Sequence, residues 1–141
     1  MLIKLLQAKI HRARVTRADL HYEGSCGIDA ILLAKSGIRE FQHLEIYNIE
    51  NGERFTTYAI EAERGGGEIC LNGAAARKAL VGDHLIIAAY ADYDEEELAA
   101  YRPVIVLVDE SNRLKAKAES GASGAPRPKA TARVPPQRSG A

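Results

Sequence analysis

Between Leu2 and Val15 side-chain character repeats every two residues: Leu2, Lys4, Leu6, Ala8 and Ile10 fall on one side, and Ile3, Leu5, Gln7, Lys9 and His11 on the other. A period of two sends successive side chains to opposite faces of an extended backbone, so this stretch reads as a long strand with one mostly apolar face. Residues 44–49, 54–62, 68–71, 84–90 and 103–108 carry the β-branched and aromatic residues of further strands. Asn51-Gly52 joins two of them as a tight hairpin, and Arg64-Gly65-Gly66-Gly67 and Asn72-Gly73 punctuate the rest. Six or seven strands, several apolar on both faces, leave edges that must be covered, and a closed β barrel with short helices between strands covers them.

The helices expected are small. Thr16-Arg17-Ala18-Asp19 has the form of a capping box opening one helical turn. Asp29 is placed to cap a helix over residues 30–36, with Gly37 at the position that tolerates left-handed dihedrals. The alanine-rich residues 74–80 form another, whose first N–H groups at Gly73, Ala74 and Ala75 make an anion site. The acidic run 92–97 starts a solvated third.

The chain has 141 residues and no net formal charge, but its charges are unevenly placed. From Ala116 onward there are five Lys or Arg and one Glu, so the body before it is acidic and argues against a nucleic-acid surface. That last stretch, rich in Ala, Gly, Ser and Pro, cannot bury enough apolar area to offset the entropy of ordering, and residues 116–141 are expected to be a disordered basic tail. Cys26 and Cys70 stand alone, and His11, His21, His43 and His84 show no ligand spacing, so no metal is expected. With no apolar run of spanning length and a short, early-charged amino terminus, no membrane association and a cytoplasmic location are expected.

The chemistry points to Tyr22-Glu23-Gly24-Ser25-Cys26. Glycine reaches backbone conformations barred to other residues, and a hydroxyl beside a twisted Gly24-Ser25 peptide could attack the Gly24 carbonyl and turn the amide into an ester. Loss of the β-oxygen of Ser25 would then cut the chain and leave dehydroalanine, which hydrolyses to a pyruvoyl group at the new amino terminus. A cysteine hydrolase built on Cys26 with His11 or His21 is a rival, but it has no assignable orienting partner.

These residues also carry a resemblance. Lys9-Ile10-His11-Arg12, Ala18-Asp19-Leu20-His21 with Tyr22 to Cys26, Asn51-Gly52, Arg54-Phe55, Thr57-Tyr58-Ala59-Ile60, Ala62-Glu63-Arg64-Gly65 and Asn72-Gly73-Ala74-Ala75-Ala76, in this order and spacing, make the chain similar to bacterial aspartate 1-decarboxylases over roughly residues 1–113. The resemblance implies a mainly β fold, the six-stranded double-psi β barrel, as a catalytic domain over 1–115. It also implies self-cleavage between Gly24 and Ser25, a homotetramer, active sites between neighbouring subunits, and conversion of L-aspartate to β-alanine for pantothenate synthesis. Carried over by position, Ser25 becomes a pyruvoyl group that forms a Schiff base with the substrate amine, and Tyr58 is the proton donor. Arg54 and Lys9 then attract carboxylates, while Thr57, Gly73, Ala74 and Ala75 hold substrate by hydrogen bonds. Tyr47 departs from the tryptophan often found there, and the 65–67 glycine run is looser than the family pattern. The alternative is a non-catalytic double-psi barrel that binds peptide or nucleotide without processing. One tension is internal to the residues: alternation places Tyr58 with Arg54 but Thr57 on the opposite face, which a bulge or a shared site would resolve.

Overall fold

Eight strands, two short α-helices and one 3-10 helix make up the computed structural model, which describes residues 1–115. The expected disordered tail, residues 116–141, lies outside the described residues. In chain order the elements are β1 (Ile3–Arg14), β2 (Arg17–Asp19), β3 (Ser25–Asp29), α1 (Ala30–Ser36), β4 (His43–Asn48), β5 (Arg54–Ala62) and β6 (Ile69–Asn72). A 3-10 helix (Gly73–Lys78), β7 (His84–Tyr93), α2 (Glu95–Leu98) and β8 (Val104–Leu107) follow.

The sheet runs β2-β6-β3-β5-β4-β7-β1-β8. Only Val15 and Thr16 separate β1, next to last in that order, from β2, at its other end, so the sheet must curl until β1 and β2 meet. The backbone bonds of those two residues make the seam: Val15 N–H donates to Asp83 O on the β7 side, and Thr16 N–H to Ile69 O on the β6 side. Counting β1 and β2 as one continuous strand, the ring has six members, and β8 adds in parallel outside β1. Twice a later strand is inserted between two consecutive ones. β6 lies between β2 and β3, parallel to the first and antiparallel to the second; β5 lies between β3 and β4 in the same manner. Two such insertions are the double-psi connectivity, and the six-stranded barrel stands as expected.

The interior is apolar. Ile10, Ile87 and Ile46 face one another across β1, β7 and β4 and are fully buried, with Phe55 of β5 next in the same row. The regular alternation expected along β1 does not persist. Its ladder with β7 shifts register between Leu6 and Ala8 and again between His11 and Ala13, where Arg12 adopts φ 65°. Each bulge reverses which face the next residue takes, so Ala8, Ile10, Ala13 and Val15 enter the core while Leu2 and Lys4 stay exposed.

Other expectations met the structure unevenly. Asp29 caps α1 by accepting the Ile31 N–H at 2.8 Å, and Gly37 closes it at φ 81°. Asp94 and Glu97 make a capping box at α2. Thr16 to Asp19, however, is no helical turn. The Thr16 hydroxyl both donates to Ile69 O and accepts from Ile69 N–H, so the side chain that would cap a helix instead splices the strand into the barrel seam. The glycine run is pinned rather than loose, because Gly65 and Gly67 donate to the buried Asp29 carboxylate at 2.9 and 2.7 Å. Burial pushes that carboxyl's pKa up, but the bonds from Gly65, Ile31 and Gly67 outweigh it and leave the pKa lowered.

Candidate active site

Ser25 is the first residue of β3 and is 3% exposed, in a strand whose five residues are all buried. It pairs with Asn72, the last residue of β6, and the Asn72 Nδ2 amide donates to Ser25 Oγ at 2.9 Å. The Asn72 amide is oriented in turn by the Cys70 thiol, which donates to its Oδ1 at 3.1 Å. With one acceptor site of the hydroxyl filled by Asn72, its proton is directed elsewhere; the Glu23 carbonyl stands 3.5 Å away. Asn72 was not among the residues singled out from sequence, because Asn-Gly reads first as a turn. The available signal was its place between a strand and the alanine helix, where an asparagine usually caps. Here it makes no side-chain cap: its Oδ1, the atom a cap would use, accepts from the Cys70 thiol while its Nδ2 donates to Ser25.

Gly24 is not among the positive-φ glycines, whereas Gly73 is, at φ 66°. A Cβ on Gly73 would lie 2.7 Å from Gly24 Cα, 2.8 Å from Gly24 N and 3.0 Å from Tyr22 O. The start of the 3-10 helix is therefore seated directly against the segment preceding Ser25. This seat brings Gly73 against Gly24, and Asn72 makes no side-chain cap on the helix that Gly73, Ala74 and Ala75 begin.

β5 supplies the next residues. Cys26 pairs in parallel with Ala59, which puts Tyr58 level with Ser25 and Thr57 level with Gly24. The face expectation holds: Arg54, Thr56 and Tyr58 are exposed on the outer side of β5, while Phe55, Thr57 and Ala59 turn inward to increasing burial. Between Arg54 and Tyr58 the ladder with β4 is regular, and the pairing of β5 with β3 shows no register shift. Thr57 and Tyr58 therefore flank the Gly24-Ser25 peptide from opposite faces of the strand, at adjacent levels, and the bulge expected to reconcile them is unnecessary. Tyr58 does not fill the barrel. It is 37% exposed, and its hydroxyl has no hydrogen bond among the described residues.

A second cluster occupies the outer face of β1, β7, β4 and β5. Register aligns His11, Ile86, Tyr47 and Arg54 in one row and Lys9, Ala88, Glu45 and Thr56 in the next. The Arg54 guanidinium lies 4.0 Å from the Tyr47 ring centroid, a cation–π contact. The Tyr47 phenol is 3.0 Å from that of Tyr90, and burial, followed by that hydrogen bond, pushes its pKa up to about 12. Tyr47 thus presents a neutral ring face to the Arg54 guanidinium. His11 is kept in its neutral form, with its pKa lowered by desolvation first and then by the Lys9 and Arg12 charges, and its buried Nδ1 has no partner. Arg54 and Lys9 thus share one basic patch, but the structure does not bring it to Ser25. Arg54 is four residues from the level of Ser25 along β5, about 13 Å at the rise of a strand.

Cys26 is fully buried and its thiol is pushed up to about 12, so it stays protonated and supplies no nucleophile. Both cysteines are free.

The family profile described as aspartate decarboxylase matches residues 1–115. Aspartate 1-decarboxylase of Bordetella pertussis (strain Tohama I) is 61% identical over 111 residues, covering 79% of this chain and 91% of its own. That of Ralstonia pickettii (strain 12J) is 59% identical over 116 residues, covering 82% and 97%, and that of Cupriavidus necator is 59% identical over 111 residues, covering 79% and 92%.

Proposed function

The chain belongs to the aspartate decarboxylase family and decarboxylates L-aspartate, and we propose that it does so with a pyruvoyl group made from its own Ser25. The observation that carries this reading is the hydrogen bond from Asn72 Nδ2 to Ser25 Oγ, which fixes the hydroxyl oxygen beside the Gly24-Ser25 peptide. In the first step the Oγ–C bond to the Gly24 carbonyl carbon forms and the C–N bond breaks, leaving an ester and a free Ser25 amine. Loss of the Ser25 α-proton then expels the Gly24 carboxylate and leaves dehydroalanine, whose hydrolysis releases ammonia and the pyruvoyl terminus. The residues present suit that group, since Ser25 is buried, its hydroxyl is held by the Asn72 amide, and the 3-10 helix that follows Asn72 has no side-chain cap. The pyruvoyl group supplies an electron sink for the charge left when carbon dioxide departs.

The chain's own residues then divide the remaining work. Tyr58, level with Ser25 and with an unengaged hydroxyl, delivers the proton that replaces the lost carboxylate. Thr57 and the N–H groups of Gly73, Ala74 and Ala75 hold the substrate by hydrogen bonds, and Arg54 and Lys9 receive its carboxylates. Because the Arg54 and Lys9 patch is displaced from Ser25 within one chain, it serves the Ser25 of a neighbour. This arrangement needs an assembly with sites between subunits, for which we propose a homotetramer with residues 1–115 as the catalytic domain. Exposed apolar side chains such as Leu80 (75%) and Val81 (63%) suit such contacts. The product is β-alanine for pantothenate synthesis, and the enzyme works in the cytoplasm; no helix among the described residues is long and apolar enough to cross a membrane.

Intact-mass analysis of purified protein tests the reading. The expected result is two fragments, one ending at Gly24 and one gaining mass with a carbonyl-trapping reagent, and a single uncleaved chain for Ser25→Ala. An uncleaved parent that decarboxylates aspartate would overturn the proposal.

A further inference from the structure

The turn that leads into β4 has a phenylalanine where its geometry asks for glycine. Phe41 N–H donates to Ala59 O at 2.7 Å and Ala59 N–H donates to Gln42 O at 3.1 Å, so two residues on this side oppose one on β5. Gln42 N–H returns to Arg39 O at 3.0 Å, and Phe41 has φ 71°. This is a β-bulge whose first residue is left-handed, and also the third position of a tight turn; both favour glycine. A bulky aromatic side chain there is an outlier. Burial does not explain it, because Phe41 is 71% exposed. Its ring contact is with Tyr58, at 6.2 Å between centroids and 35° between planes.

A residue held in a strained conformation without core contacts points to a role at a site. We propose that Phe41 is a positioning residue for Tyr58. Its ring stands beside the phenol on the outer face of the sheet, removes the side-chain orientations that would swing the hydroxyl into solvent, and keeps water off one face of the ring. The inference rests on Tyr58 being the proton donor, and it adds why that exposed side chain is held at the level of Ser25.

Two substitutions at this position separate positioning from packing. Asparagine tolerates left-handed dihedrals, so Phe41→Asn relaxes the backbone while removing the ring; Phe41→Tyr keeps the ring. The expected result for Phe41→Asn is a melting temperature at or above the parent and unchanged cleavage and assembly. Turnover per cleaved chain should be about 3–10-fold slower, the reach of one aromatic contact, with KM within about twofold. Phe41→Tyr should restore turnover, and in a Tyr58→Phe background Phe41→Asn should cost nothing further. Parental turnover in Phe41→Asn, a loss that comes with a lower melting temperature or a dissociated oligomer, or failure of Phe41→Tyr to rescue would each overturn the positioning role. Parental turnover in Tyr58→Phe alone would instead remove the donor reading on which it rests.

Discussion

Gly73 and Gly24 approach so closely that a single methyl group cannot fit between them: a Cβ built on Gly73 would stand 2.7 Å from Gly24 Cα. The contact ties the start of the 3-10 helix to Gly24, whose carbonyl is the one attacked in the proposed self-cleavage. Asn72, one residue earlier, adds the hydrogen bond to Ser25 Oγ. One short segment thus contacts both Gly24 and the Ser25 hydroxyl.

Gly73→Ala follows directly. The added methyl meets backbone atoms, which cannot swing aside as a flexible side chain could, and φ 66° disfavours alanine whatever the space. The expected outcome is a folded chain that cleaves slowly or not at all, read as the fraction of Gly24-terminated fragment over time. A second measurement, circular dichroism melting, should show a loss consistent with about 1–2 kcal/mol of left-handed strain rather than unfolding. Cleavage at the parental rate would mean that Gly24 is not positioned by this contact.

Arg54 offers a different test, because its orientation depends on Tyr47. Arg54→Lys removes the planar fork and should weaken aspartate binding by about 1.5–3 kcal/mol, with self-cleavage untouched. Tyr47→Leu leaves the fork but removes the surface 4.0 Å beneath it, and should raise KM by a smaller factor, corresponding to about 0.5–1 kcal/mol. Steady-state kinetics on fully cleaved protein measures both. Equal KM values for parent and Arg54→Lys would place the carboxylate elsewhere.

His84 gives the barrel a pH-dependent tie. Its Nδ1 is 2.7 Å from Glu50 Oε2 and its Nε2 is 3.1 Å from Glu110, so one imidazolium joins the β4–β5 connection to the segment after β8. The hydrogen bond to Glu50, then that to Glu110, raises its pKa, against desolvation and the Arg12 charge. A folded pKa above the unfolded value of about 6.5 stabilises the fold fully below that pH, and the contribution is lost as pH rises through the folded pKa. Both carboxylates are largely exposed, so the effect is modest. The melting temperature should fall as pH rises above about 6.5, and His84→Gln should flatten that slope; an unchanged slope in the variant would assign the fall to other groups.

The elements legible in the sequence were those specified by local chemistry. Asp29 with Gly37 bounded α1, and Asn51-Gly52 marked the hairpin between β4 and β5, because caps and tight turns depend on residues adjacent in the chain. What could not be read depended on partners far away. Thr16 looks like a helix cap until Ile69 is placed against its hydroxyl, and Asn72 looks like a turn residue until Ser25, 47 positions earlier, stands opposite it. The separation of Arg54 from Ser25 likewise follows from the parallel register of β3 and β5, which no local pattern encodes. Phe41 is the converse case, a residue whose identity conceals the left-handed bulge it occupies.

Tyr58 carries the most demanding prediction, since it concerns the use of the group proposed to form from Ser25 rather than its making. The carbon that loses carbon dioxide must gain a proton before β-alanine can leave, and an acid must stand close to position 25 to supply it. The parallel pairing of Cys26 with Ala59 sets Tyr58 at that level, and its side chain shares the outer face with Arg54. A tyrosine kept for packing would have its ring in the barrel and its hydroxyl on a backbone carbonyl. Here the ring is 37% exposed, and the hydroxyl is unpaired among the described residues. Tyr58→Phe keeps the ring and removes only the transferable proton. This variant should cleave at Gly24-Ser25 at the parental rate, keep a KM for aspartate near that of the parent, and turn over about 10²–10⁴-fold more slowly, the usual contribution of a positioned general acid. Turnover must be expressed per cleaved chain, so that incomplete maturation does not imitate lost catalysis. A cleaved phenylalanine variant within a few-fold of parental turnover would show that the proton comes from another group or from water.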